Sequence, residues 1–183
     1  MDGHQRQREQ SGRMIEEALF ALIQKNKFEE ITVSEIVKHA DVARRTFYRL
    51  YSRKEDVLYG YFQRLCEEYQ RTYTVLQEYD LEQIAEEFFS FWYKHKEFLL
   101  LLYQCGREEM LYHEIRRASA DVVRNRIGYN LEKEDMDPVY FACYSTGGFL
   151  MLLHQWISDG MQELPEEYAK KVSCALLKFI RPV

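Results

Sequence analysis

Turn formers are scarce in this sequence, with eight glycines and three prolines in 183 residues. That is too few for an architecture of short strands joined by tight turns, and it favours helices. No stretch of useful length alternates apolar and polar residues, so strands are not expected. The four cysteines, Cys66, Cys105, Cys143 and Cys174, lie far apart with no CxxC and no paired Cys/His spacing. Each sits in an apolar or helical stretch, and buried free thiols of a cytoplasmic protein are expected. HExxH, GxSxG and phosphate-loop patterns do not occur. His95, His113 and His154 stand apart. Glu109 and His113 are four residues apart, but one such pair does not make a metal site. No metal, cofactor or enzymatic chemistry is therefore expected, and the polar residues 1–13 do not resemble a signal peptide.

Uncharged runs are also rare. One stretch, residues 139–158, carries no Asp, Glu, Lys or Arg and approaches membrane-spanning length. Ser145, Thr146, Gly147, Gly148, His154 and Gln155 interrupt it, and no basic cluster sits beside it to set an orientation. A helix buried on nearly all sides explains it better, which in a chain this small suggests a partner subunit on the second face.

Apolar residues make up 46% of the chain, enough to build a real core. Fourteen tyrosines and eleven phenylalanines point to a bulky interior or an aromatic-lined cavity. The net charge of −5 hides an asymmetry. Residues 1–54 carry eleven basic and eight acidic side chains, whereas the remainder carries fourteen and twenty-two. A basic head on an acidic body suits a protein that presents one end to phosphates.

The periodicity predicts about nine helices. The first spans residues 6–25, with Ile15, Ala18, Leu19, Leu22 and Ile23 as its apolar stripe. Thr32 and Glu35 form a capping box for a second, short helix ending near Ala40. A turn at Asp41-Val42 leads to a third helix over residues 43–50. The turn needs a residue that tolerates positive φ, and Asp is among the acceptable non-glycine choices. A second capping box, Ser52 with Glu55, opens a long fourth helix. Asp80 with Gln83 caps a fifth through Phe88, Phe91 and Trp92. A sixth covers residues 97–104 and a seventh residues 108–129. Asp137-Pro138 opens the uncharged eighth, which stops near Gly160, and Pro165 opens the ninth, which ends near Ile180.

The segment 32–58 carries the functional signal. Two short helices joined by a tight turn make a helix-turn-helix. On the third helix Ala43, Phe47 and Leu50 share the inward side, whereas Arg44, Arg45, Tyr48 and Arg49 point outward. Three arginines and a tyrosine have the chemistry to meet a duplex, because Arg pairs bidentately with guanine or holds phosphate. Lys54 lies in the first turn of the next helix, where a cation opposes the helix dipole. A phosphate would account for it.

The residues Ile31-Thr32-Val33, Ile36, Ala40 and the run Thr46-Phe47-Tyr48-Arg49-Leu50-Tyr51-Ser52-Arg53-Lys54-Glu55 resemble the DNA-binding signature of the TetR family of regulators. Thr32 to Lys54 aligns without a gap, and the match covers about residues 10–60. The resemblance implies an all-α protein with a DNA-binding head at residues 1–52 and a ligand-binding and dimerisation body at 53–183. It implies base or groove contacts for Arg44, Arg45, Thr46 and Tyr48. It implies phosphate contacts for Thr32, Tyr48, Arg49 and Lys54. Three positions depart from the pattern: Asp41 replaces a usual Gly, Ala43 a frequent Ser or Thr cap, and Leu50 a frequent His or Tyr.

The resemblance further implies a dimer that binds a palindromic operator on double-stranded DNA, with a small-molecule effector held in the body. Aromatic candidates for the effector pocket are Phe62, Phe88, Phe91, Trp92, Tyr103, Tyr112 and Tyr144, which would suit an apolar or aromatic ligand. Helices eight and nine of two subunits would pair through Gly147, Leu150, Leu153, Ile157, Leu176 and Phe179. Repression is the expected mode. The alternatives are activation, or control of the same head by a partner protein.

Overall fold

The computed structural model describes residues 3–73, 81–127 and 138–180. Among these residues there are nine α-helices and no strand. They are α1 (Gly3–Ile23), α2 (Val33–His39), α3 (Arg44–Leu50), α4 (Lys54–Tyr73), α5 (Leu81–Lys94), α6 (Lys96–Gln104), α7 (Glu109–Ile127), α8 (Pro138–Ser158) and α9 (Pro165–Ile180). The all-helical reading and the order of elements hold. A 3₁₀ turn at Phe28–Glu30, between α1 and α2, was not anticipated. The caps expected at Asp80 and Asp137 lie outside the described residues. The chain divides into two compact units, residues 1–65 and 66–183, and the division falls inside α4.

In the first unit α1, α2 and α3 pack against one another. Ile15 and Leu19 of α1, Ile36 of α2, Phe47 of α3 and Val57 and Leu58 of α4 are all buried, with Phe28 and Ile31 closing the connection before α2. The capping box at Thr32 forms as expected. Its hydroxyl oxygen accepts from the Glu35 amide at 3.3 Å, and its own amide donates to the Glu35 carboxylate at 2.8 Å. These bonds hold the Glu35 carboxyl below the usual carboxylate range, chiefly through the Thr32 backbone. The start of α4 departs from expectation. The amides of Ser52 and Arg53 both donate to Asp56 at 3.0 Å, so the capping carboxylate is Asp56 and not Glu55.

The second unit packs α5 against α9, and α8 against both α7 and α6. Its interior is aromatic. Trp156 stacks on Tyr168 with ring centres 4.8 Å apart and on Tyr93 at 5.5 Å. Phe88, Phe91 and Trp92 surround Tyr69 at 5.1 to 6.0 Å. Such pairs add to the burial of large apolar area. Gly160 stops α8 with a φ of +77°, its amide donating to Ile157 and that of Met161 to Trp156. The buried Met161 then seals the helix end.

Candidate nucleic-acid interface

The turn of the helix-turn-helix is a helix stop built without glycine. Asp41 has a φ of +50°, its amide donates to Lys38 and that of Val42 to Val37. This 5→2 and 6→1 pairing is the Schellman arrangement, which normally seats Gly at the left-handed position. Asp41 meets the turn requirement at some steric cost. Ala43 then begins α3 and supplies no side-chain cap, as its identity dictates.

The short helix α3 sorts its side chains by chemistry. Phe47 is fully buried and anchors it, whereas Arg44, Arg45 and Arg49 are exposed and Tyr48 is 49% exposed. Thr46 and Leu50 are half-buried, and Ala43, expected on the inward side, is exposed because it lies at the cap before the helix begins. Arg44 is already engaged. Its two terminal nitrogens donate to Ser34 Oγ and to the Tyr48 hydroxyl, each at 3.3 Å. Its guanidinium also sits 5.6 Å from the centre of the Tyr48 ring. Thr32 is exposed at the start of α2, where its hydroxyl donates to the Glu35 carboxylate at 2.8 Å.

Lys54 has a different reason for its place than a phosphate. Its ammonium donates to the carbonyls of Phe28, Glu29 and Ile31 at 2.5, 3.0 and 2.7 Å. It also lies 4.6 Å from the centre of the Phe28 ring. An ammonium has three donors, so all three are used on the connection before α2. The half-buried cation thus pins α4 to the 3₁₀ turn, and that tie accounts for a positive charge at a helix start.

A group that sequence reasoning missed lies behind α3. Glu16, buried on α1, accepts from the Tyr51 hydroxyl at 2.9 Å and from Arg64 of α4 at 2.5 Å. Burial, followed by the Glu16 charge, raises the Tyr51 phenol well above its ordinary value. The signal was present in the sequence: Glu16 falls within the apolar stripe of α1, beside Ile15 and Leu19. A cleft of about 690 Å³ opens beside this group, lined by Arg8, Arg13, Phe20, Tyr61 and Arg64 among others.

The aromatic residues expected around an effector are dispersed. Phe62 is buried in the first unit. Phe88, Phe91 and Trp92 form the packed cluster around Tyr69. Tyr103 and Tyr112 flank His154 with ring centres at 6.0 and 5.5 Å. Tyr144 is 70% exposed on α8, apart from those clusters.

The residues expected at a dimer contact also need revision. Leu150, Leu153 and Ile157 are buried within the subunit, Leu153 to 1% exposure, so they are consumed by the body's own core. Both sides of α8 are apolar, and hydrophobicity alone did not say which side turns inward. The outward side is formed by Tyr140, Cys143, Tyr144, Gly147, Gly148 and Met151. Gly147 is exposed, Leu176 is half-buried, and the Phe179 side chain lies outside the described residues. Cys143 and Cys174 are exposed, contrary to the expectation of burial, because they fall on the outward sides of α8 and α9. Cys66 is buried, and burial pushes its thiol up to about 12. Among the described residues no cluster of His, Cys, Asp and Glu is placed to hold a metal, and no helix is long and apolar enough to cross a membrane.

Comparison with known proteins agrees with the geometry. Residues 15–62 match a family described as bacterial regulatory proteins of the tetR family, and residues 79–177 match a transcriptional regulator C-terminal region. No curated protein matches the chain. Among solved structures, the dihydroxyacetone kinase operon activator DhaS has a similar fold, with a TM-score of 0.66. It is 18% identical, and the match covers 93% of this chain and 96% of that one.

Proposed function

Since the chain belongs to the tetR family of bacterial transcriptional regulators, we propose that it binds a palindromic operator as a homodimer and releases it when a small effector occupies the body. Residues 1–52 read the DNA, and residues 53–183 form the dimer and hold the effector. The observation that carries this reading is the outward cluster Arg44, Arg45, Tyr48 and Arg49 on a rod anchored by the buried Phe47. Exposed cations on a short rigid helix meet both demands of a duplex, phosphate attraction and base-edge hydrogen bonds. Thr32 and Thr46 border the same surface and complete it. Lys54 acts by holding the start of α4 in place.

The second copy docks on the outward side of α8. Tyr140, Tyr144 and Met151 are large exposed apolar groups there, and Leu177 of α9 is exposed as well. A Cβ added at Gly147 or Gly148 would meet nothing within 4 Å, which leaves room for another backbone to approach. Dimerisation matters for DNA binding because two recognition helices must lie about 34–36 Å apart to enter successive major grooves. An effector that favours another spacing lowers operator affinity by linkage. Tyr103 and Tyr112, which flank His154, are expected liners that lie together, and their rings suit an apolar or aromatic effector.

Repression follows where the operator overlaps a promoter. The similar fold named above belongs to an operon activator, and a promoter fusion reports which sign applies here. The decisive experiment is selection of binding sites from random duplexes by the full chain. A two-fold symmetric site with half-sites one helical turn apart is expected. Enrichment of no sequence would overturn the reading.

A further inference from the structure

The outward side chains of α3 are not equivalent. Arg44 is held at two points, by Ser34 of α2 and by Tyr48 one turn along its own helix. Arg45 and Arg49 are exposed and have no side-chain partner among the described residues. This difference separates two tasks. A phosphate is a charge that accepts a cation from many directions, so a mobile arginine serves it well. Reading a base edge requires the planar fork in one orientation, and an arginine already held there loses less freedom on binding.

We infer that Arg44 is the specificity-determining residue, that it reads a guanine through the major-groove edge, and that Ser34 is its positioning residue. Arg45 and Arg49 hold phosphates. The inference rests on the operator-binding reading above. Five N–H groups belong to a guanidinium, and the two bonds to Ser34 and Tyr48 leave three. Two of those suffice for the O6 and N7 acceptors of guanine. The tie to Ser34 also spans the turn between α2 and α3, so the fork is set by the helix-turn-helix as a unit. The Tyr48 ring beside the guanidinium limits its swing from the other side.

The test is parallel site selection by the full chain and its Arg44→Ala, Ser34→Ala, Ser34→Thr, Arg45→Ala and Arg49→Ala variants. All four positions are exposed, so matching melting curves are expected and are checked first. The wild-type site contains one strongly preferred guanine in each half. Arg44→Ala erases that preference alone, with discrimination against other bases falling about 10- to 100-fold. Ser34→Ala weakens the same position without changing affinity for random duplex, and Ser34→Thr restores it. Arg45→Ala and Arg49→Ala keep the preferred sequence, weaken all duplexes alike and lower the salt slope by about one each. Retention of the full guanine preference by Arg44→Ala, or its loss in Arg45→Ala, overturns the assignment while leaving the regulator intact. A wild-type chain that enriches no sequence overturns the regulator reading and this inference with it.

Discussion

Helices α3 and α8 each bury one side and expose the other, and they differ in how those sides are written. In α3 the sides differ in chemistry: the buried Phe47 lies opposite Arg44, Arg45 and Arg49. Burying an arginine without partners is so costly that only one orientation of the helix is open to it. In α8 both sides are apolar. Thr146, Leu150, Leu153 and Ile157 go inward, and Tyr140, Tyr144, Gly147 and Met151 remain outside. Hydrophobic burial is non-directional, so nothing intrinsic to this helix chooses between the two sides. The choice is made by what α6 and α7 offer it.

The comparison can be broken most forcefully at the buried anchors. Phe47→Ala should destabilise the first unit by about 3–5 kcal/mol, measured by urea unfolding, because the ring is removed from a closed core. The matching change on α8, Leu153→Ala, should cost about 2–5 kcal/mol of subunit stability. Its opposite is Tyr144→Arg, which should leave the melting curve of the subunit unchanged and convert the proposed dimer to a monomer in sedimentation. If Leu153→Ala dissociated the proposed dimer without loss of stability, the docking side of α8 would be the wrong one.

A smaller effect sharpens the reading of the turn. Asp41→Gly should stabilise the first unit by about 1 kcal/mol, since glycine occupies the left-handed region without steric cost. The removal of a negative charge close to the cations of α3 should also strengthen DNA binding at low salt. An unchanged melting temperature would mean that Asp41 repays its own strain. The smallest effect concerns the Thr32 box. The Glu35 carboxyl is held low, so its contribution to stability is present above the unfolded carboxylate pKa and disappears as pH falls through the lowered folded value. The stability gap between wild type and Glu35→Gln should therefore narrow from neutral to acid pH, as followed by thermal melts.

Much of the candidate interface was legible before any coordinates. The Thr32 box, the positive φ at residue 41, the uncapped start of α3 and its outward arginines all follow from local rules about neighbouring residues. The ties that position this surface were not legible. Lys54 to the carbonyls before α2, Arg44 to Ser34, and Tyr51 and Arg64 to Glu16 join residues between 10 and 48 positions apart. The unusual places of Lys54 and Glu16 were visible, but their partners were not, because only proximity in the folded chain supplies them.

The sequence by itself determined that the chain is helical, where its short head begins and turns, and which side of α3 meets solvent. It could do so because backbone preference, capping and the cost of burying charge act over a few residues. The tertiary structure alone decided which side of α8 the core claims, why Lys54 stands at a helix start and which arginine is held in place. Those outcomes depend on groups brought from distant parts of the chain, and no local rule contains them.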